Sequence, residues 1–303
     1  MPIAFSPDLR KIAWAHFGEQ GSDDIVQLGS AVYLMTNRGV RTMQVARLPD
    51  LWVTSVAFSP DGQNLAVGIR HQPTRVIQIS TGKELQRLGD NGAGRAVFTP
   101  DGTKLLLGSA GSHARFYDLR SGSVTRELTE LPGANLVCIA SSGRIVAGAS
   151  EGGRAMVWAS DGTCRELSLP EGKLRAVQLS PDGRLIGCAI RGHILVFNAV
   201  TGKLLHDLIH LDEDGEEAVV WCVAFSADGQ RVAAPTNTFL RIWEVDSGKV
   251  VLCPALAGLM ALAFSEDGNT ILGVRDTDGS VQRFHFVNPT WHWLRKLLAN
   301  WRG

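Results

Sequence analysis

Residues 56–62 read Val-Ala-Phe-Ser-Pro-Asp-Gly, inside the phrase SVAFSPDGQNLAVGIR at 55–70. Proline presets φ, the aspartate can bond its own backbone, and glycine accepts a positive φ. Ser-Pro-Asp-Gly is therefore a tight turn between two short apolar runs. Nearly the same phrase returns as AVFTPDGTKLLLGSA (96–110), AVQLSPDGRLIGCAI (176–190), VAFSADGQRVAAPT (223–236) and LAFSEDGNTILGVR (262–275). An earlier copy, IAFSPDLRKIAWA (3–15), carries Leu9 where the others carry glycine, and Gly143 marks one more. From Gly62 the turn glycines follow at intervals of 40, 41, 40, 46 and 39 residues. Seven copies at a period near 40, each with several short strands, predict propeller blades.

Each copy continues in the same order. The strand after the turn mixes large residues with Ala and Gly, as Leu65–Gly68 and Leu105–Gly108 do. That mixture reads as a crowded strand next to a propeller axis. A third strand is branched and aromatic: RVIQIS, ARFYDL, AMVWAS, ILVFNA, LRIWEV. A polar-Gly turn follows at Thr81-Gly82, Ser121-Gly122, Asp161-Gly162, Thr201-Gly202 and Ser247-Gly248. A fourth, more polar strand (KELQRL, SVTREL, KLLHDL) reads as an outer edge facing water.

This phrase resembles the WD-repeat family over almost the whole chain. Trp243 in IWEVDSG and Trp158 in VWASDG stand where the family's tryptophan ends the third strand, and Tyr117-Asp118 is the nearest match to its Trp-Asp pair. No copy has the family's Gly-His before the first strand. The resemblance thus implies a divergent propeller, in which the buried His–Asp–Ser–Trp network is mostly missing and apolar packing between blades carries the stability. The expected fold is all-β, a seven-bladed β-propeller of four-stranded antiparallel blades plus a short C-terminal helix. The propeller spans 1–287, with blades near 1–49, 50–90, 91–131, 132–171, 172–212, 213–256 and 257–287. About 27 strands can be counted, which leaves the last blade with three unless a partner supplies the fourth.

The tail, 288–303, departs from the pattern. Asn288 can cap and Pro289 can open a helix, and Trp291, Leu294, Leu297, Leu298 and Trp301 then share one stripe. Such a helix docks on its own propeller over the open edge of the last blade, or binds a partner through Trp291, Leu294, Leu298 and Trp301. Its three turns are short for a membrane-surface helix, and no apolar run approaches the roughly 18 residues of a span. Two insertions interrupt the repeat. Residues 16–29 read as an exposed loop. Residues 209–221 hold Asp212, Glu213, Asp214, Glu216 and Glu217, a solvated acidic loop, a dock for a basic partner or a weak cation site without the spacing of a calcium hand.

Composition limits the function. Apolar residues make up 45 % of the 303 and charged residues 20 %, as in a globular protein. Lys+Arg and Asp+Glu are 30 each, so the basic excess of a general nucleic-acid binder is lacking. The five cysteines form no CxxC pair and read as free thiols, mostly buried, in a reducing, cytoplasmic setting. Residues 1–11 show no basic segment followed by an apolar core, so no secretory signal is expected.

No reaction chemistry stands out. HExxH, GxSxG and GxxxxGK[ST] are absent from the sequence. His206 and His210 fall on an outer strand and the loop after it, where two imidazoles would not face one metal. The Gly-x-Gly of residues 91–95 opens no helix and reads as a turn. The turn aspartates of six copies (Asp8, Asp61, Asp101, Asp182, Asp228, Asp267) are a folding feature. No metal, cofactor or catalytic residue is expected.

Turns after the second strands bring Arg70, His71, Glu151, Arg154, Arg191, His193, Asn237 and Arg275 to one rim. Arginine is a frequent interface anchor, so Arg70, His71, Arg154, Arg191, His193 and Arg275 are the partner-binding candidates. The leading reading is a non-catalytic protein-interaction scaffold within a multiprotein assembly. One alternative is a propeller hydrolase such as a lactonase, which would need carboxylates and histidines around the axis. Another is a regulatory or sensor subunit of a larger complex, its last strand supplied in trans.

Overall fold

A computed structural model of the chain describes residues 2–285, apart from 21–26, 37–38, 50, 90–92, 110–113, 129–135, 143–144, 151–152, 212–213, 237, 255–257 and 276–280. The C-terminal tail and the helix expected in it lie outside the described residues, as do Glu151 and Asn237.

Among the described residues twenty-seven strands form seven antiparallel sheets. Blade one holds β1 (Ile3–Phe5), β2 (Lys11–Gln20), β3 (Gln27–Thr36) and β4 (Gly39–Pro49). Blade two holds β5 (Val53–Phe58), β6 (Asn64–Ile69), β7 (Gln72–Gln78) and β8 (Glu84–Leu88). Blade three holds β9 (Ala93–Phe98), β10 (Lys104–Ser109), β11 (Ala114–Asp118) and β12 (Val124–Leu128). Blade four holds β13 (Leu136–Ser141), β14 (Ile145–Ser150), β15 (Ala155–Ala159) and β16 (Cys164–Leu167). Blade five holds β17 (Leu174–Leu179), β18 (Leu185–Ile190), β19 (His193–Asn198) and β20 (Leu204–Ile209). Blade six holds β21 (Ala224–Phe225), β22 (Arg231–Pro235), β23 (Leu240–Glu244) and β24 (Val250–Leu252). Among the described residues blade seven holds β25 (Leu259–Phe264), β26 (Thr270–Arg275) and β27 (Val281–His285) and no fourth strand. No helix occurs among the described residues.

The first strands touch in sequence, β1 to β5 to β9 to β13 to β17 to β21 to β25, and β25 returns to β1. The ring is therefore a closed seven-bladed propeller with the first strand of each blade innermost. This corrects the expectation that the Ala- and Gly-rich second strands lie next to the axis. Their small residues serve the contact between blades. A Cβ on Gly187 of β18 would stand 3.1 Å from the Phe225 ring and 3.2 Å from Val223, both in the next blade.

Six apolar clusters hold the ring, one at each junction from blades one–two to blades six–seven. The junction of blades five and six buries Ala189, Val196, Leu208, Phe225, Val232 and Trp243. That of blades three and four buries Leu106, Phe116, Met156 and Trp158. Among the described residues no such cluster joins blade seven to blade one.

The repeated turn is held by one hydrogen-bond set. In blade two, Ser59 Oγ donates to Asp61 Oδ1 and accepts from the Asn64 amide at 2.9 Å, while Asp61 Oδ1 accepts from the Gln63 amide at 2.9 Å. The same set recurs at Ser6–Asp8, Thr99–Asp101, Ser180–Asp182, Ser226–Asp228 and Ser265–Asp267. Gly62 sits at φ +65°, and Leu9 occupies the equivalent place at +51°. Cations tie neighbouring blades through carbonyls: Lys11 Nζ donates to Gly62 O, Arg126 to Ala159 O, and Arg231 to Gly268 O.

The first insertion is more regular than expected. Residues 16–20 and 27–29 belong to β2 and β3, which pair from Lys11↔Thr36 to Gln20↔Gln27. This hairpin is four residues longer per strand than the six-residue β6, or about 13 Å at 3.3 Å per residue. Of the cysteines, Cys188 is buried, Cys164 and Cys222 are half-buried, and Cys253 is exposed; all four are free thiols.

Candidate partner-binding face

Because neighbouring strands are antiparallel, the Ser-Pro-Asp-Gly turns and the turns between third and fourth strands share one face. The turns between second and third strands, and the connections between blades, share the other. Arg70, His71, Arg154, Arg191, His193 and Arg275 all belong to that second face, as does the long hairpin of blade one. They are spread over blades two, four, five and seven, so the fold places them on one side without gathering them into a single cluster.

Arg70 and His71 form a two-residue turn between β6 and β7; both are exposed, and the Arg70 amide donates to Trp52 O at 2.8 Å. His71 sits at φ +59° and Arg191 at +49°. Among the described residues they and Leu9 are the non-glycine residues with positive φ, and two of these three lie on this face. Such backbone is uncommon and costs free energy.

Arg154 donates from Nε and Nη2 to both oxygens of Glu166 on β16, at 2.5 Å each. Arg275 donates to the Gln282 side-chain oxygen at 2.7 and 2.8 Å, with that amide in its bonded orientation. Blades four and five meet closely here. A Cβ on Gly153 would stand 2.7 Å from Gly172 O, and one on Gly172 would stand 3.3 Å from Arg191 Nε.

His193 joins two elements. Its Nδ1 lies 2.6 Å from Asp207 Oδ1 on β20, and its Nε2 lies 3.6 Å from Glu217 Oε1 in the acidic insertion. The hydrogen bond to Asp207, with the field of both carboxylates, raises its pKa above the usual histidine value against the opposing effect of burial. The insertion itself folds back on blade five. Leu211 bridges Glu217, and Gly192 lies so close that a Cβ would meet the Glu217 Cα at 3.0 Å.

His210 is fully buried. Its Nε2 donates to Ala234 O at 3.1 Å and its ring meets Trp243 edge-on. Burial and the Arg241 charge lower its pKa to about 4. Blade six therefore keeps one contact of the sparse histidine network, with a backbone carbonyl in place of a hydroxyl partner. Sequence reading missed this because the acidic insertion separates His210 from its first strand.

Sequence reading also missed two tryptophans. Trp52 is 52 % exposed and Trp221 45 % exposed, each in the connection leading into a first strand on this face. Arg175 of β17 places its guanidinium 4.8 Å from the centre of the Trp221 ring. Counted back from the phenylalanine or leucine before each turn, Arg175 and Trp221 hold the same place in blades five and six. A large aromatic at a first strand's entrance, where Thr54, Gly94, Arg175 and Met260 hold the place of Trp221 in other copies, was the available signal.

Two grooves of about 440 and 450 Å³ open between blades on the opposite side. Their walls include Asp61 and Asp101, and Asp8 and Asp267. Each of these carboxylates is already bonded to a hydroxyl and an amide. Among the described residues no group of three or more His, Cys, Asp or Glu side chains is placed to hold a metal ion. No helix there is long and apolar enough to cross a membrane.

The sequence model described as WD domain, G-beta repeat matches residues 44–69 and 203–244, the regions of blades two and five–six. The chain is a seven-bladed β-propeller with two stretches that match the WD-repeat model. A chain of the crystal structure of the mitotic checkpoint complex superposes on this propeller with a TM-score of 0.75, covering 95 % of this chain and 90 % of that one at 18 % identity. Solved structures that match number 1609 chains, so the likeness identifies the fold and selects no partner. No curated protein matches the sequence.

Proposed function

We propose that this WD-repeat propeller is a non-catalytic scaffold that binds partner proteins through the face carrying Trp52, Arg70, His71, Arg175, Arg191 and Trp221. The observation that carries the reading is the exposed Trp221 with Arg175 over its ring. Water-exposed indole is costly to leave uncovered, and tryptophan and arginine are the residues most often found as interface anchors. The guanidinium holds the ring in one orientation before binding, which lowers the ordering cost of association. The blade-one hairpin extends on the same face, one blade before Trp52. His193 fixes the acidic insertion next to Arg191, so the face presents both signs of charge over a short span. Trp221→Ala and Trp52→Ala are each expected to weaken a partner by about 10-fold or more. Unchanged affinity in both would remove the basis for this assignment, as would turnover of a lactone panel by the purified protein.

A further inference from the structure

Blade seven has no fourth strand among the described residues, and two of its side chains register that gap. Val281 and Phe284 of β27 are half-buried. Their counterparts in blades two to six are sealed. Thr74, Ala114, Ala155, Ile194 and Leu240, in the place of Val281, are at most 1 % exposed. Ile77, Tyr117, Trp158, Phe197 and Trp243, in the place of Phe284, are at most 7 % exposed. In four of those blades the seal includes a buried leucine of the fourth strand: Leu88, Leu128, Leu167 and Leu208.

The chain cannot make that strand by the route that blades two, three, five and six use. Their turn from third to fourth strand sets a glycine four residues past the third strand's end. Gly202 is the example, at φ +71° with its amide donating to Asn198 O at 2.8 Å. Gly82, Gly122 and Gly248 repeat the bond. His285 holds the place of Asn198, so the glycine's place falls to Pro289. Proline has φ fixed near −65° and no N–H to donate. The 18 residues that follow β27 in sequence nonetheless carry a stripe of large apolar side chains, Trp291, Leu294, Leu297, Leu298 and Trp301. It starts at the uncovered edge, so its effective concentration there is high. The need is local, because the seam between blades seven and one also lacks an apolar cluster among the described residues.

We propose that residues 286–303 close the ring as a packed cover: they lie over the outer side of β27, bury Val281 and Phe284, and take the place of the missing fourth strand. Covering an edge with a non-strand element is one of the ways proteins protect unpaired strands. The inference is independent of the partner-binding face, which lies on the turns and not on this edge.

Hydrogen exchange on the intact chain and on a variant lacking 288–303 tests it. The expected result is exchange in β27 and β1 at least about 10-fold faster in the shortened chain, with blades two to five unchanged. Should the shortened chain fail to fold, Leu294→Asp with Leu298→Asp in the full chain gives the same comparison. In the intact monomer, the tail tryptophans should resist iodide quenching. Equal exchange in both chains together with freely quenched tail tryptophans would overturn the proposal. Protection of β27 that grows with protein concentration would also overturn it, by assigning the edge to a second copy.

Discussion

The His210 imidazole meets the Trp243 indole edge-on, ring centroids 5.4 Å apart and planes at 78°. The pair locks the entrance of blade six onto its third strand, and it makes the fold sensitive to acid. His210 is neutral when folded, with a pKa lowered to about 4, whereas the unfolded chain returns it to about 6.5. Between those values the unfolded state binds the extra proton, so stability falls as pH drops from 6.5 toward 4. The loss amounts to about 3 kcal/mol. Denaturant titrations at pH 7 and pH 4.5 should show this loss in the native chain and much less of it in His210→Phe.

His193 behaves in the opposite sense. Asp207 first, then Glu217, hold its proton in the folded state, so its pKa is raised. Its contribution is complete below the unfolded pKa and disappears as pH rises through the folded one. An NMR titration should place its midpoint above the usual histidine value. Asp207→Asn should lower that midpoint more than Glu217→Gln. The latter should also speed amide exchange around residues 214–217.

Ser226 is fully buried, donates to Asp228 and accepts from the Arg231 amide at 2.9 Å. Ser226→Ala leaves a strand amide and a carboxylate short of a partner, at a cost of about 1–2 kcal/mol. Urea unfolding measures it. The same change at any of the other repeated turns should cost a similar amount, since the bonds are the same.

Leu9 takes a left-handed backbone where the other copies use glycine, yet its side chain is only 7 % exposed. Leu9→Gly relieves strain of about 1–2 kcal/mol but gives up burial of about 2–3 kcal/mol plus a cavity term. A net destabilisation of about 1 kcal/mol is expected, seen as a lower urea midpoint. A gain in stability would show that the leucine is merely tolerated at the seam.

The architecture was legible because its signal is local. The serine or threonine hydroxyl, aspartate and strand amide that hold the turn lie within six residues, so six of the seven copies display the whole device in order. The radial order of the strands was not legible. Small residues in β18 and its counterparts allow close approach, but only the register shows that the near neighbour is the next blade. Arg175 and Trp221 meet across two blades, and His193 meets Glu217 across an insertion. Neither pairing has a spacing to read. The arginines of the rim were found by turn position alone, which could not show that Arg154 is engaged by Glu166.

The central claim is that the face of Trp52 and Trp221 engages another protein. Photo-crosslinking residues placed at Trp221 and Trp52, in the cells that make the protein, test it most directly against controls at Thr81 and Ser121 on the opposite face. The account predicts a discrete covalent protein adduct from the first pair that Arg175→Ala diminishes, and none from the controls. Adducts from the controls alone, or equal labelling from both faces, would contradict it.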